Sequence, residues 1–381
     1  MQFFTAGESH GKGLIVLINN FPRGVKVNER LIYALLQRRQ KLGGRGARSK
    51  KEEIKFDILS GVYQGKTTGA PVSIFIPNTI VSLEEIGSIT TPRPGHIDLA
   101  GALKYLQTNS REFVERASAR ETAAKTVAGA FAMMLLDEFN ISVLGYTKSI
   151  GDIELENVPQ DFNTLKQNVW NSTYALPDDS KLSQIEKFIG ELKDKGDTAG
   201  GTVIVMVKNA PPGLGNHTIP EERLDAQLAK NIFAIQAVKG LEIGNASAST
   251  RYPGSKVYGN IYLDPKSPFL FKHTQDWMGG IEGGLSTGED IILKIYIKPV
   301  PTLLHPKRSI NLETLKESKA HYESSDYCIV PAISVVCEAV TAFVIASAFL
   351  ERFGKIDIKE IKENYSRYLA DFMKCYKKLS T

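Results

Sequence analysis

Residues 333–350 read ISVVCEAVTAFVIASAFL, and the assignment of this almost unbroken apolar run decides what kind of molecule the chain forms. The run is long enough to be weighed as a membrane span. Glu338 stands in its interior, however, and Ser334, Thr341 and Ser347 interrupt it. A carboxylate at the centre of a bilayer costs roughly 2.5–3.5 kcal/mol, so the run reads as a buried helix of a protein with no membrane partner. Being apolar nearly all round, such a helix suits a core or a subunit interface.

Outward from that helix, apolar residues recur at helical spacing over Ile358 to Tyr376, Pro220 to Ile235, Ala117 to Phe139, and Glu29 to Gln40 with Asn28 as N-cap. SARE at 118–121 predicts a capping box, in which Ser118 and Glu121 exchange hydrogen bonds at the start of a long helix. Strands are predicted over Gly13 to Ile18, Ala70 to Ile76, Thr202 to Val207, Lys256 to Leu263 and Asp290 to Ile297. Asp178 to Asp197, rich in Lys, Asp and Glu, reads as a solvated helix with flanking loops. No repeat, low-complexity tract or long Pro/Gly/Ser linker divides the sequence, so residues 1–381 are expected to form a single domain.

With 381 residues, 42% hydrophobic and 23% charged, the chain can build a sizeable core. Cys328, Cys337 and Cys375 are sparse, odd in number and without CxxC spacing, which suggests neither a disulfide framework nor a cysteine metal site and fits a reducing cytoplasm. The opening MQFFTAGESHG carries no basic segment followed by an apolar stretch, so no targeting peptide is expected. A net charge of +5 does not by itself indicate nucleic-acid binding. Its distribution is more telling: RRQKLGGRGARSKK, from Arg38 to Lys51, carries positive charge and no acid.

Glycine clusters at GESHG (7–11), GGRG (43–46), APPGLG (210–215) and GGIEGGLSTG (279–288) mark places where backbone bends sharply or approaches a ligand, and each alone is more often a turn. None is a P-loop, and no GxGxxG follows a strand and opens a helix. Of the six histidines, His10 in GESHG and His96 in RPGHID are the candidates for proton transfer, although a lone histidine in a glycine turn is more often structural. No histidine pair has ligand spacing, so no metal is expected. Arg39, Arg45, Arg48, Arg116 and Arg120 suit a small polyanion, because guanidinium grips phosphate and carboxylate bidentately. The competing reading of Arg38 to Lys51 as an RNA-contacting patch is weakened by the lack of aromatic residues for base stacking there.

These residues resemble the chorismate synthase family, through motifs in order along almost the whole chain. They are GESHG (7–11), RRQ…GGRG (38–46), ILSGVYQGKTTGAPV (58–72), RPGHID (93–98), RASARETA (116–123), GDTAGG (196–201), PPGLG (211–215), QAVKGLEIG (236–244), GGIEGGLSTGEDI (279–291), IKPVPT (297–302) and SDYCIVPA (325–332). The resemblance implies an α+β fold with helices sandwiched between antiparallel sheets, assembled as a homotetramer. It also implies the anti-1,4-elimination of phosphate and the C6 proton from 5-enolpyruvylshikimate 3-phosphate, giving chorismate in the shikimate pathway. Reduced FMN is required for that reaction without net redox change. The reductant is expected from an external flavin reductase, with NADPH used directly in bifunctional members.

The resemblance also implies roles by position. His10 falls where the family protonates the departing phosphate, and His96 where it protonates or hydrogen-bonds the reduced flavin. Ser9 and Asp326 match a pair that relays a proton near flavin N5. Arg39, Arg45 and Arg48 match positions that grip substrate or NADP. Arg116, Ala117, Ser118, Gln236, Ala237, Gly283 and Lys298 to Thr302 match flavin-contacting positions. Many members carry an arginine where this chain has Ser324, so either the flavin phosphate draws on Lys298, Lys307 or Arg308 instead, or FMN is bound more weakly. Glycine around the arginines makes Gly43 to Arg48 a candidate lid. A nucleic-acid-binding protein and a flavin-dependent reductase are the competing readings.

Overall fold

The computed structural model describes residues 1–46, 53–79, 86–323 and 326–377, so the expectations for Arg48 and Ser324 lie outside the described residues. Two antiparallel sheets enclose a layer of helices. The first contains β1 (Gln2–Gly7), β2 (Gly13–Asn19), β3 (Asp57–Ser60) and β4 (Val72–Pro77), in the order β1-β2-β4-β3. Alternation gives it one buried face, formed by Leu14, Val16, Ile18, Val72, Ile74 and Ile76. The second sheet contains β5 (Ser142–Ile150), β6 (Ile153–Glu154), β7 (Gly201–Lys208), β8 (Val238–Ile243) and β9 (Ile291–Ile297), in the order β8-β9-β7-β5-β6.

Between the sheets lie α1 (Glu29–Lys41), α4 (Thr122–Asp137) and α8 (Val330–Phe353); α2 (Ile97–Tyr105) and α3 (Arg111–Ala117) precede α4 in the chain. Next come α5 (Phe162–Asn171), α6 (Leu182–Lys195) and α7 (Leu224–Phe233), and α9 (Ile358–Lys377) follows α8. The apolar run that opened the sequence reading is therefore a core helix: α8 is long and apolar enough to cross a membrane, but 89% of its most apolar window is buried within the protein. Glycine sets how closely the layers approach. A Cβ at Gly129 of α4 would run into the backbone of Ala339 in α8, and one at Gly145 of β5 would run into the Ser334 carbonyl. Glu338 accepts the Gly145 N–H at 2.9 Å and faces Arg38 at 3.6 Å, and Arg38 in turn stacks over Trp170 at 4.4 Å. Burial pushes the Glu338 carboxyl up, against the pull of Arg38.

Several predicted boundaries move for physical reasons. Asn28 caps α1 as expected, accepting the Leu31 N–H at 3.2 Å. The predicted helix over 117–139 is interrupted: α3 ends at Ala117, residues 119–121 form a 3-10 turn, and α4 begins at Thr122. The capping box is only half formed, because Ser118 accepts from the Arg120 N–H while Glu121 is drawn off by Thr5, Lys125 and Gln236. The helix predicted from Pro220 starts at Leu224, whose N–H is taken by the Gly284 carbonyl at 2.9 Å. The strand predicted over 256–263 is a helical turn at 254–257, following Pro253, and a strand only at Ile261–Leu263.

Candidate active site

The GESHG turn is fixed from beneath. Gly7 has φ +105°, and a Cβ there would run into the Gly13 carbonyl. The Asn78 amide donates to the carbonyls of Glu8 (3.0 Å), Ser9 (3.2 Å) and Gly11 (2.8 Å), and it accepts from Arg120 Nε at 2.9 Å. Glu115 receives what the turn presents. Its carbonyl accepts the Ser9 N–H at 3.1 Å, its Oε2 accepts the His10 N–H at 2.9 Å, and His10 Nδ1 lies 2.9–3.0 Å from both carboxylate oxygens. Burial opposes ionisation of Glu115, but hydrogen bonds from His10 and Arg111 outweigh it and hold the carboxyl below its usual range. An ionised carboxylate only accepts, so Nδ1 carries the proton and Nε2 is the nitrogen free for chemistry.

RPGHID repeats the device. Asp98, fully buried, receives the Arg93 N–H at 3.0 Å, Arg93 Nε at 2.7 Å and Nη2 at 3.0 Å, and it bonds His96 Nδ1. His96 and Arg93 overcome the burial cost and keep the Asp98 carboxyl far below its ordinary range. His96 is likewise held by Nδ1.

Both turns border a cavity of about 430 Å3. Ser9, Arg39, Arg45, His96, Ala117, Ser118, Gln236, Ala237, Lys298, Thr302 and Asp326 all line it, although in sequence they range over most of the chain. Arg39, buried, donates to Thr122 Oγ1 and the Ala119 carbonyl at 2.8 Å each, and Arg45 pairs with Asp326 at 2.7 Å. The side chains of Arg38, Arg39 and Arg45 thus turn inward, which argues against an exposed basic stripe for nucleic acid. Lys298 donates to the Gly95 carbonyl at 2.7 Å, and burial, with Lys239 nearby, lowers its pKa. Ala237 adopts φ +72°, a strained conformation for a non-glycine residue, beside the ligand space.

Three expected residues do not line this cavity. His10 stands behind Ser9 on Glu115, Arg116 turns to Thr5, and Gly283 sits in the 281–286 ribbon. The described part of the candidate lid is packed rather than standing off, since a Cβ at Gly43 would meet the Tyr174 ring and one at Gly44 the Cys328 carbonyl. Sequence reasoning passed over Glu115, Asp98, Arg93, Arg111, Asn78 and Glu323. Arg93 and Asp98 lie inside a quoted motif and Glu115 adjoins another; Asn78 and Glu323 carry no local signal.

Ile97, Val114, Val300, Pro301 and Ile329 line the cavity together with Arg39, Arg45 and Lys298, a mixture of apolar and cationic groups that suits an apolar ring bearing anionic groups. An adjoining cavity of about 350 Å3 shares Lys298 and adds Lys307 and His321.

The fold and site define an α+β enzyme whose basic cavity is flanked by two carboxylate-held histidines. Comparison with known proteins makes this particular: the chorismate synthase family model matches residues 1–350, and the chain belongs to that family of lyases. It is 40% identical to the chorismate synthase of Syntrophomonas wolfei subsp. wolfei (99% of this chain, 98% of the relative) and 39% identical to that of Aquifex aeolicus (97% of each). A solved structure described as a crystal structure of chorismate synthase superposes with a TM-score of 0.79 at 33% identity, covering 97% of this chain and 98% of the other.

Proposed function

We propose that the protein makes chorismate from 5-enolpyruvylshikimate 3-phosphate by anti-1,4-elimination, with reduced FMN bound in the cavity. The single observation that carries this reading is one cavity lined by inward-facing cations and the Nδ1-anchored His96, with the Nδ1-anchored His10 directly behind Ser9 of its wall. Arg39 and Arg45 hold the substrate's phosphate and carboxylates, joined by Arg48, so that charge developing on the departing phosphate is met by fixed cations. His10, its Nδ1 committed to Glu115, presents Nε2 to that phosphate and gives it a proton. His96 hydrogen-bonds the flavin. Ala117, Ser118, Gln236, Ala237 and Thr302 seat the ring, while Arg116 and Gly283 contribute at its margin.

The chemistry that reduced flavin supplies when bound is electron density for the cleavage and a transient acceptor for the C6 hydrogen. Ser9 and Asp326, both on the cavity wall, would relay a proton there. With Ser324 in place of an arginine, Lys298 and Lys307 receive the flavin phosphate in the adjoining cavity. An external flavin reductase drawing on NADPH keeps the flavin reduced in the cytoplasm.

We also read the chain as one domain that assembles as a homotetramer. The outer face of the first sheet supports this: Phe4 pairs in register with Leu17, Ile15 lies in register with Phe75, and all but Phe75 are well exposed. Such a flat apolar face matches a second copy of itself.

The test is anaerobic. Purified protein with dithionite-reduced FMN and the substrate is expected to release phosphate and chorismate together, and His10→Ala and His96→Ala each to slow this by about 10²-fold or more. Folded, FMN-binding protein that gives no chorismate overturns the reading in favour of a flavin-dependent reductase.

A further inference from the structure

A chain of charged contacts joins the two histidines. From His10, the Glu115 carboxylate leads to Arg111 Nη1 at 3.3 Å, Arg111 Nη1 to Glu323 Oε1 at 2.6 Å, Glu323 Oε2 to Arg93 Nη1 at 3.6 Å, and Arg93 to Asp98, which holds His96. The chain of contacts joins the turn after β1, helix α3, the segment before α8 and the turn before α2. Each guanidinium is shared between two carboxylates. Glu115, Glu323 and Asp98 are all ionised, because their cationic partners outweigh the burial that opposes charge. Three carboxylates against two guanidiniums leave one negative charge, so a first imidazolium neutralises the chain and a second makes it cationic.

We propose that Arg111 and Glu323 are positioning residues that couple the two histidines, so that a proton on one imidazole disfavours a proton on the other. A proton on His96 draws Asp98 to it and releases Arg93 towards Glu323. Glu323 then loosens its hold on Arg111, Arg111 turns more fully to Glu115, and Glu115 has less charge left for a protonated His10. For the reaction read above, on which this inference rests, the coupling delivers a proton to either the phosphate side or the flavin side and not to both. Other charged groups face the network. His321 Nε2 lies 3.4 Å from Glu323, and Arg39, Arg120, Lys298 and the Arg45–Asp326 pair stand on the cavity wall. His321 is the competing sink for a proton, so it needs its own control.

The test uses the full chain labelled with 15N-histidine, without substrate or flavin, and follows the ring nitrogens of His10 against pH. His96→Gln is expected to raise the His10 midpoint by about half a pH unit. In a Glu323→Gln background the same substitution is expected to shift it by less than half as much, while in a His321→Gln background the shift persists. Arg111→Lys, which keeps the charge but offers one nitrogen to two carboxylates, is expected to act like Glu323→Gln and guards against misfolding of either variant. A His10 midpoint indifferent to His96→Gln, or a shift untouched by both Glu323→Gln and Arg111→Lys, overturns the proposal. Coupling without chorismate formation sinks the elimination reading alone, and chorismate formation without coupling sinks only this one.

Discussion

At the scale of single residues, the site depends on carboxylates that hold other side chains rather than touch a ligand. Asp98 is the clearest. Its folded pKa is depressed, so it contributes stability that is fully present above its unfolded value of about 4 and is lost as pH falls towards the folded value. Asp98→Asn leaves the buried Arg93 with only the more distant Glu323 carboxylate, at 3.6 Å, and is expected to cost about 3 kcal/mol at neutral pH. In urea melts the gap between parent and variant should stay level down to about pH 5 and close below about pH 4; a gap that widens on acidification refutes the assignment. His10 and His96 were legible in the sequence because they stand in glycine- and proline-marked turns. Their partners were not, since Glu115 sits on a helix 105 residues from His10 and nothing local marks a carboxylate that will accept a histidine.

Among the elements, periodicity gave the apolar helices and the alternating strands correctly, and it failed where tertiary contacts compete for local hydrogen bonds. Glu121 is the instructive case: its spacing from Ser118 satisfies a capping box, but Lys125 and Gln236 offer it more than the backbone amide does. The split between α3 and α4 leaves Ala117, Ser118 and Ala119 on the cavity wall, where a continuous helix would have hidden them. The crossing of α4 and α8 was equally illegible, because Gly129 inside a helical pattern reads only as a weak spot until its neighbour is known. Gly129→Val is expected to destabilise the fold by about 1–3 kcal/mol through overpacking against Ala339. Thermal or denaturant unfolding measures this, and an unchanged midpoint would mean that the two helices can separate freely.

For the molecule as a whole, the layered arrangement leaves one sheet face apolar and facing outward. Phe4→Glu with Leu17→Lys places charges on adjacent strands of that face and is expected to convert the tetramer proposed above to a smaller species in sedimentation, with the monomer fold retained by circular dichroism. A tetramer that persists assigns assembly to another surface. The sequence could not show this face, because alternation on β1 and β2 says that one side is buried and not what covers the other.

The pairing of Arg45 with Asp326 and of Arg38 with Glu338 spans about three quarters of the chain. During synthesis the basic segment therefore leaves the ribosome long before its neutralising carboxylates have been made. Until the last sixth is translated, Arg38 and Arg45 lack the carboxylates that neutralise them in the folded protein, so this part of the core closes only when the chain is almost complete.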